Sequence, residues 1–241
     1  MSKTDNHNKM YINKDGKRVL RITEVIKVLA KDSLLVWANM LGFKRISYRG
    51  ELERTANIGS MVHSVLEDFN TPGTLAIDDP YKYGIYSYRD QIEASNAIES
   101  FFKWYRVHRN LYRVKFTERV IVGNEVGGTI DLGLHGIQDP NKVILADYKT
   151  SGGLYLTMYL QLAGYIMIYE EEYGSDTVEG VVIFLLDKKN GEKAKASFMS
   201  RKRMQPYIDA FKILLQTAQI TKLLETTYLD DTIDLHKWDG D

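Results

Sequence analysis

Residues 127–149, from Gly127-Gly-Thr-Ile-Asp131 to Leu145-Ala-Asp147-Tyr-Lys149, constrain this chain more than any other stretch. Val126 to Leu134 and Val143 to Tyr148 are rich in β-branched and apolar residues and read as strands. Yet three charges sit within or at the end of them. Burying a charge is costly unless it is paired or binds a metal. Strand side chains alternate, so positions 143, 145, 147 and 149 share one face, and Asp147 and Lys149 project together from the end of an apolar strand. A meander can bring Asp131 beside Asp147. Two carboxylates so placed can hold Mg²⁺ or Mn²⁺, hard cations that prefer oxygen. Such an ion lowers the pKa of bound water and neutralises charge on a scissile phosphate. A neighbouring lysine can orient that water or offset charge in the transition state. For any one of these residues a salt bridge to Lys149 is the simpler account. The spaced set points to phosphodiester hydrolysis.

The rest of the chain supplies a setting for such strands. Residues 22–41 read as one helix capped by Thr23, and residues 57–69 as a second, with Ile58, Met61, Val62, Val65, Leu66 and Phe69 forming its apolar stripe. Residues 71–89 hold Pro72, Pro80 and Tyr81, Tyr83, Tyr86 and Tyr88, and read as a loop. A long helix follows over 90–109. Phe116 to Val122, Val126 to Leu134 and Val143 to Tyr148 then predict a three-stranded meander. Tyr155 to Tyr173 is apolar nearly all round and predicts a buried helix. Val181 to Leu186 reads as a central strand, Lys195 to Met199 as an edge strand, and Pro206 to Leu224 as a final amphipathic helix. The class is α/β, a mixed central sheet flanked by helices.

Composition narrows the function. With no cysteine there can be no disulfide, thiolate metal site or iron–sulfur cluster. No apolar run reaches the roughly 18 residues of a membrane span. The polar start predicts no signal peptide, and a reducing cytoplasm is the expected setting. Net charge is zero, which argues against a nucleic-acid partner until its distribution is considered. Residues 225–241 carry six acids and one lysine, and without them the chain has 31 basic and 26 acidic side chains, a net of +5. One basic cluster holds Lys103, Arg106, Arg109, Arg113, Lys115 and Arg119; another holds Lys188, Lys189, Lys193, Lys195, Arg201, Lys202 and Arg203. Both suit phosphate contacts, and both also read as solvated faces. Trp104 and Tyr105 read as core; the loop tyrosines are candidates for stacking on unpaired bases.

Asp131, then Asp147-Tyr148-Lys149, then Gln161-x-x-x-Tyr165, resembles the PD-(D/E)XK nuclease superfamily, specifically its RecB-type branch. Gly128-Thr-Ile-Asp131 matches the first strand element of that branch, Asp147 to Ser151 the second, and Gly59-Ser-Met-Val-His63 an upstream helix. The stretch from Arg21-Ile-Thr-Glu to Trp37-Ala is similar to the start of phage-encoded RecB-like exonucleases and mitochondrial-type single-strand exonucleases. Ile130 stands where the name-giving proline would be. The second acid is aspartate, one methylene shorter than glutamate, and the cysteine cluster of some relatives is absent.

The resemblance implies a restriction-endonuclease-like core. It implies a site in which His63, Asp131, Asp147 and the carbonyl of Tyr148 ligate Mg²⁺ or Mn²⁺ and Lys149 is catalytic. Glu118 is a further acidic position, and Gln161 with Tyr165 position the site or the DNA backbone. Helical periodicity alone sets His63 off the apolar stripe, towards solvent; with the resemblance it becomes a ligand. The expected organisation is a single nuclease domain over 1–241: a helical part over 1–56, the core over 57–200, a helix over 203–224 and an acidic tail over 225–241. The expected activity is a DNA exonuclease of replication, recombination or repair, in a bacterial cell or phage-infected host. It would act on single strands or duplex ends, with recombination or replication proteins as further partners; oligomeric state is left open. A structure-specific endonuclease, or a non-catalytic DNA-binding or interaction module on the same fold, are the alternatives.

Overall fold

The computed structural model describes residues 10–29, 32–74 and 79–230. The chain enters through β1 (Tyr11–Ile12) and β2 (Arg18–Arg21), then α1 (Ile22–Ile26), α2 (Asp32–Phe43), α3 (Tyr48–Asn70) and α4 (Tyr88–His108). Next come β3 (Val114–Val122), β4 (Val126–His135), β5 (Val143–Lys149) and α5 (Leu156–Tyr173). β6 (Val178–Leu185), β7 (Lys195–Ser200) and α6 (Gln205–Asp230) complete it. The seven strands form one mixed sheet. The meander β3–β4–β5 is antiparallel, as its turn punctuation predicts. β6 lies parallel to β5, and β7 antiparallel to β6.

The sheet separates two apolar clusters. On one face α1, α5 and α6 bury Val25, Ile130, Leu145, Ile166, Ile183 and Phe211; on the other α3 and α4 bury Ile58, Leu66, Phe101, Leu132, Ile144 and Phe184. β5 feeds both, with Val143 and Leu145 on the first face and Ile144, Ala146 and Tyr148 on the second. Helices on both faces explain its nearly unbroken apolar run. Each such side chain, once buried, contributes roughly 1.5–3 kcal/mol.

β4 forks, and the fork makes room for a site. Its end at Leu132–His135 pairs with β5, while Val126 and Gly127 pair in parallel with β2. Between these, residues 128–130 pair with β3 alone, leaving their other edge open. α3 runs across this opening. Ser47 caps it by accepting the Gly50 N–H at 3.2 Å. Arg54 locks it to α4 through Asp90 and Glu93 at 2.6 and 3.2 Å, while Glu51 of the same helix holds the guanidinium at 2.8 Å.

The N-terminal third departs from expectation. Instead of one helix over 22–41, Arg18–Arg21 is strand, α1 ends at Ile26 and α2 begins at Asp32. Pairing of Leu20 and Arg21 with β4 holds this stretch extended. Thr23 is not the cap: Arg21 takes the N-cap position, and Glu24 accepts its backbone N–H at 2.8 Å and its guanidinium at 3.0 Å. Residues 1–56 therefore supply strands as well as helices. α3 starts well before residue 57, because its cap is Ser47. The expected loop 71–89 contains a 3-10 turn at Pro80–Tyr83, and its residues 75–78 lie outside those described. α6 continues to Asp230, past the expected end at Leu224; residues 231–241 of the acidic tail lie outside the described residues. Among the described residues no helix is long and apolar enough to cross a membrane.

Candidate active site

Five elements bring polar side chains to the fork. Asp131 lies where strand alternation slips: Ile130 packs on the α5 face, but Leu132 and Leu134 both pack on the α3 face. Across the ladder Arg119 pairs with Ile130 and Thr117 with Leu132, so Glu118 and Asp131 fall opposite each other. Glu118 has φ 45°, in the left-handed region that a glutamate seldom adopts. Such strain at a mid-strand acid is a recurrent mark of functional sites. His63, Glu118 and Asp131 present ligand atoms all within 4.8 Å of one another.

His63 is not solvent-facing as helical periodicity suggests. It stands in the cleft wall with 29% of its side chain exposed, because α3 turns this edge towards the fork. Its Nε2–H donates to the Tyr148 carbonyl at 2.8 Å, and Nδ1 lies 3.2 Å from Asp131 Oδ2. Burial disfavours the imidazolium, but Asp131 more than offsets this and raises its pKa to about 9. Burial would likewise raise Asp131; His63, Lys149 and the Tyr148 N–H, 3.4 Å away, hold it below the ordinary carboxylate value.

Asp147 and Lys149 share a face, as alternation predicts. Asp147 is 2% exposed, and its Oδ1 accepts from Lys149 Nζ at 2.9 Å. Its Oδ2 lies 2.7 Å from the same nitrogen as an ion pair but makes no hydrogen bond among the described residues. Burial lifts the Asp147 carboxyl to about 6, with Lys149 pulling it down and Asp131 pushing it up. For Lys149 burial opposes the charge, and the two aspartates outweigh burial, so its pKa rises. Lys149 Nζ also donates to Gln161 Oε1 at 3.2 Å, and Gln161 Nε2 donates to the Tyr165 hydroxyl at 3.2 Å. One helical turn apart on α5, these two extend the chain of polar contacts. Burial raises the Tyr165 phenol well above its ordinary value, and Asp131 adds to this.

These residues, with Asp147 just beneath, border a cleft of about 510 Å³ lined by His63, Glu118, Asp131, Lys149, Gln161 and Tyr165. Tyr11, Arg21, Ser60, Ser64, Glu67 and Thr129 line it too. Sequence reasoning passed over most of these. Ser60, His63, Ser64 and Glu67 repeat at helical spacing, a polar stripe that could have marked one wet face of α3. Tyr11, which meets the Thr129 hydroxyl at 3.0 Å, lies on a two-residue strand with no sequence signal. Neither basic cluster lines the cleft. Arg201 pairs with Glu170, Arg119 lies 4.1 Å over the Phe116 ring, and Lys103 and Lys115 donate to the carbonyls of Gly191 and Asn141. Trp104 and Tyr105 pack against the α3–α4 cluster as expected. Of the loop tyrosines, Tyr83 is buried in the cleft wall, whereas Tyr81, Tyr86 and Tyr88 are exposed.

The donor set fits a hard divalent cation. It offers two carboxylates and an imidazole within reach of one another, and beside them a buried carboxylate oxygen with no hydrogen bond. The Tyr148 carbonyl, expected as a ligand itself, here accepts from His63 Nε2; a backbone carbonyl is a usual second partner of a metal-ligating histidine, and the contact leaves Nδ1 directed at the cluster. No curated protein matches the chain. The family model of the PD-(D/E)XK nuclease superfamily, whose members hydrolyse nucleic acid with divalent metals, typically Mg²⁺ or Mn²⁺, matches residues 40–231, and the chain belongs to that superfamily.

Proposed function

We propose that this protein is a divalent-metal-dependent DNA exonuclease of the RecB-type branch, acting in replication, recombination or repair. The observation that carries this reading is the convergence of His63, Glu118, Asp131, Asp147, Lys149, Gln161 and Tyr165 at one fork in the sheet. His63, Glu118 and Asp131 would hold the ion, with Asp147 Oδ2 completing the set while Oδ1 keeps its hydrogen bond from Lys149. Bound there, Mg²⁺ or Mn²⁺ supplies an acidified water and neutralises charge on the scissile phosphate. Lys149, anchored by Asp147 and Gln161, orients the attacking water and offsets the charge that grows on the phosphoryl oxygens. Gln161 and Tyr165 fix that ammonium and the adjoining backbone of the substrate. The exposed Tyr81 and Tyr86, ring centroids 6.0 Å apart beside the cleft-lining Tyr83, offer surfaces for unpaired bases. This favours single strands or frayed ends.

One assay tests the reading. End-labelled single-stranded, double-stranded and covalently closed circular DNA are incubated with Mg²⁺ or Mn²⁺, with Lys149→Ala as control. The expected result is metal-dependent release of nucleotides from linear DNA only. Cleavage of closed circles would replace the exonuclease with an endonuclease. Equal signal from wild type and Lys149→Ala would remove the catalytic assignment.

A further inference from the structure

Tyr148, the middle residue of Asp147-Tyr148-Lys149, is more than a spacer. Its main chain faces the site. Its carbonyl accepts from His63 Nε2 at 2.8 Å, and its N–H reaches Asp131 Oδ2 at 3.4 Å. One peptide unit on each side of Tyr148 thus touches both of the residues that bring nitrogen and oxygen donors together. Its side chain points the other way, into the core between β5 and the α3–α4 pair, and is 2% exposed. There the phenol meets the Tyr112 hydroxyl at 2.6 Å and accepts from Asn70 Nδ2 at 3.0 Å. Tyr112 closes the triangle by donating to Asn70 Oδ1 at 2.8 Å. All three side chains are buried and mutually satisfied. The ring is also held by Phe184, stacked at 5.6 Å, and by the edge of Phe101 at 5.5 Å.

Asn70 and His63 lie two turns apart on the same face of α3. The helix therefore grips Tyr148 at two points, by His63 on the carbonyl and by Asn70 on the phenol. Three distances follow from one clamp: α3 to β5, the His63 ring to Asp131, and the Tyr148 carbonyl to Nε2. A carbonyl that moved away would release the Nε2 proton from its acceptor. The imidazole would then be free to turn Nδ1 away from the cluster. Hydrogen bonds of this outer kind set the tautomer and orientation of metal-binding histidines.

We propose that Tyr112 and Asn70 are positioning residues of the metal site, acting through Tyr148 on His63 and Asp131. This rests on the reading of His63 and Asp131 as ligands. The test is isothermal calorimetry of Mn²⁺ binding to the metal-free protein, with no substrate present. Tyr112→Phe deletes one oxygen and leaves the ring in place, and is expected to weaken Mn²⁺ binding about tenfold, the scale on which outer partners act. Tyr148→Phe should do the same. The double variant should lose less than the product of the two single effects, because both remove one shared contact. Cooperative unfolding of each metal-free variant reports its fold; if Tyr112→Phe does not fold, Tyr148→Phe decides.

Asp131→Asn distinguishes the clamp from the ligand assignment on which it rests. If Asp131→Asn abolishes Mn²⁺ binding while both phenylalanine variants stay within twofold of wild type, the clamp is overturned and the ligand assignment stands. The clamp is overturned in the same way if the phenylalanine variants melt earlier but bind Mn²⁺ unchanged, since the triangle is then only structural. If Asp131→Asn binds as wild type does, the ligand assignment falls and the clamp with it.

Discussion

Lys149 carries two burdens that separate experimentally. In the proposed mechanism it offsets charge in the transition state, so Lys149→Met should lower the rate at saturating metal roughly 100-fold or more. It is also the partner of a carboxylate that is 2% exposed. Removing it should destabilise the metal-free protein at pH 7.5 by roughly 3 kcal/mol, the lower edge of the range for breaking a buried pair, because Lys149 is itself partly exposed. At pH 5, below the raised pKa of about 6, a proton neutralises Asp147 and the loss should shrink. Chemical denaturation at both pH values checks this. His63 gives a second pH signature. Its folded pKa of about 9 lies above the ordinary 6.5, so its ion pair stabilises the metal-free fold fully below pH 6.5 and that contribution is lost as pH rises through about 9. Melting temperatures in EDTA should fall across this window, and His63→Gln should flatten the slope. Asp147 loses its own, acid-side contribution by about pH 6, outside the window. At this scale much of the site was legible. Asp147 with Lys149, and Gln161 with Tyr165, follow from the periods of strand and helix. His63 was not legible from periodicity, because a wet cleft and bulk solvent leave the same polar mark on a helix. Nor was the backbone of Glu118, since the slip it shares with Asp131 belongs to the pairing of two strands.

Elements meet at the fork with little slack, and glycines show where. A Cβ on Gly128 would stand 2.6 Å from Tyr165 Cε1 and 3.2 Å from Ile22, with both neighbours packed in the core. Gly128→Ala should therefore cost about 1–3 kcal/mol by overpacking. Gly59, on the facing helix, would meet only Thr150 Oγ1 at 3.7 Å. Gly59→Ala should be tolerated and should stabilise α3 by roughly 0.5–1 kcal/mol. Thermal unfolding of the two variants distinguishes the tight face of the site from the loose one. The meander, α5 and the central strand were readable because their periods are long and their punctuation sharp. β1 and β2 were not. They are short, and β2 is extended because of a partner more than a hundred residues away, the pair Leu20–Val126. A local reading of Arg21-Ile-Thr-Glu gives a helix, and α1 does begin at Ile22, but it ends at Ile26 and a separate helix begins at Asp32.

For the molecule as a whole, metal and fold are linked. If the donors at the fork bind Mn²⁺ only when folded, free metal at 100 times its Kd adds about 2.7 kcal/mol to stability. For a chain of this size that corresponds to a rise of roughly 5–10 °C in melting temperature. Scanning calorimetry with and without Mn²⁺ should show the rise in wild type and none in Asp131→Asn. The charge balance acts at this scale too. The basic clusters lie outside the cleft and are partly engaged with neighbouring groups, so Arg21, Lys149 and His63 are the basic side chains that line it among the described residues. The fork also sets a schedule. Its contributors are spread from Tyr11 on β1 to Tyr165 on α5, and β5 has β6 as its neighbour on the side away from β4. A chain emerging from the ribosome presents His63 long before Asp147 and Lys149, and those before Tyr165. The cleft therefore cannot be assembled before α5 has formed, so the polar groups that line it come together late, with the fold itself.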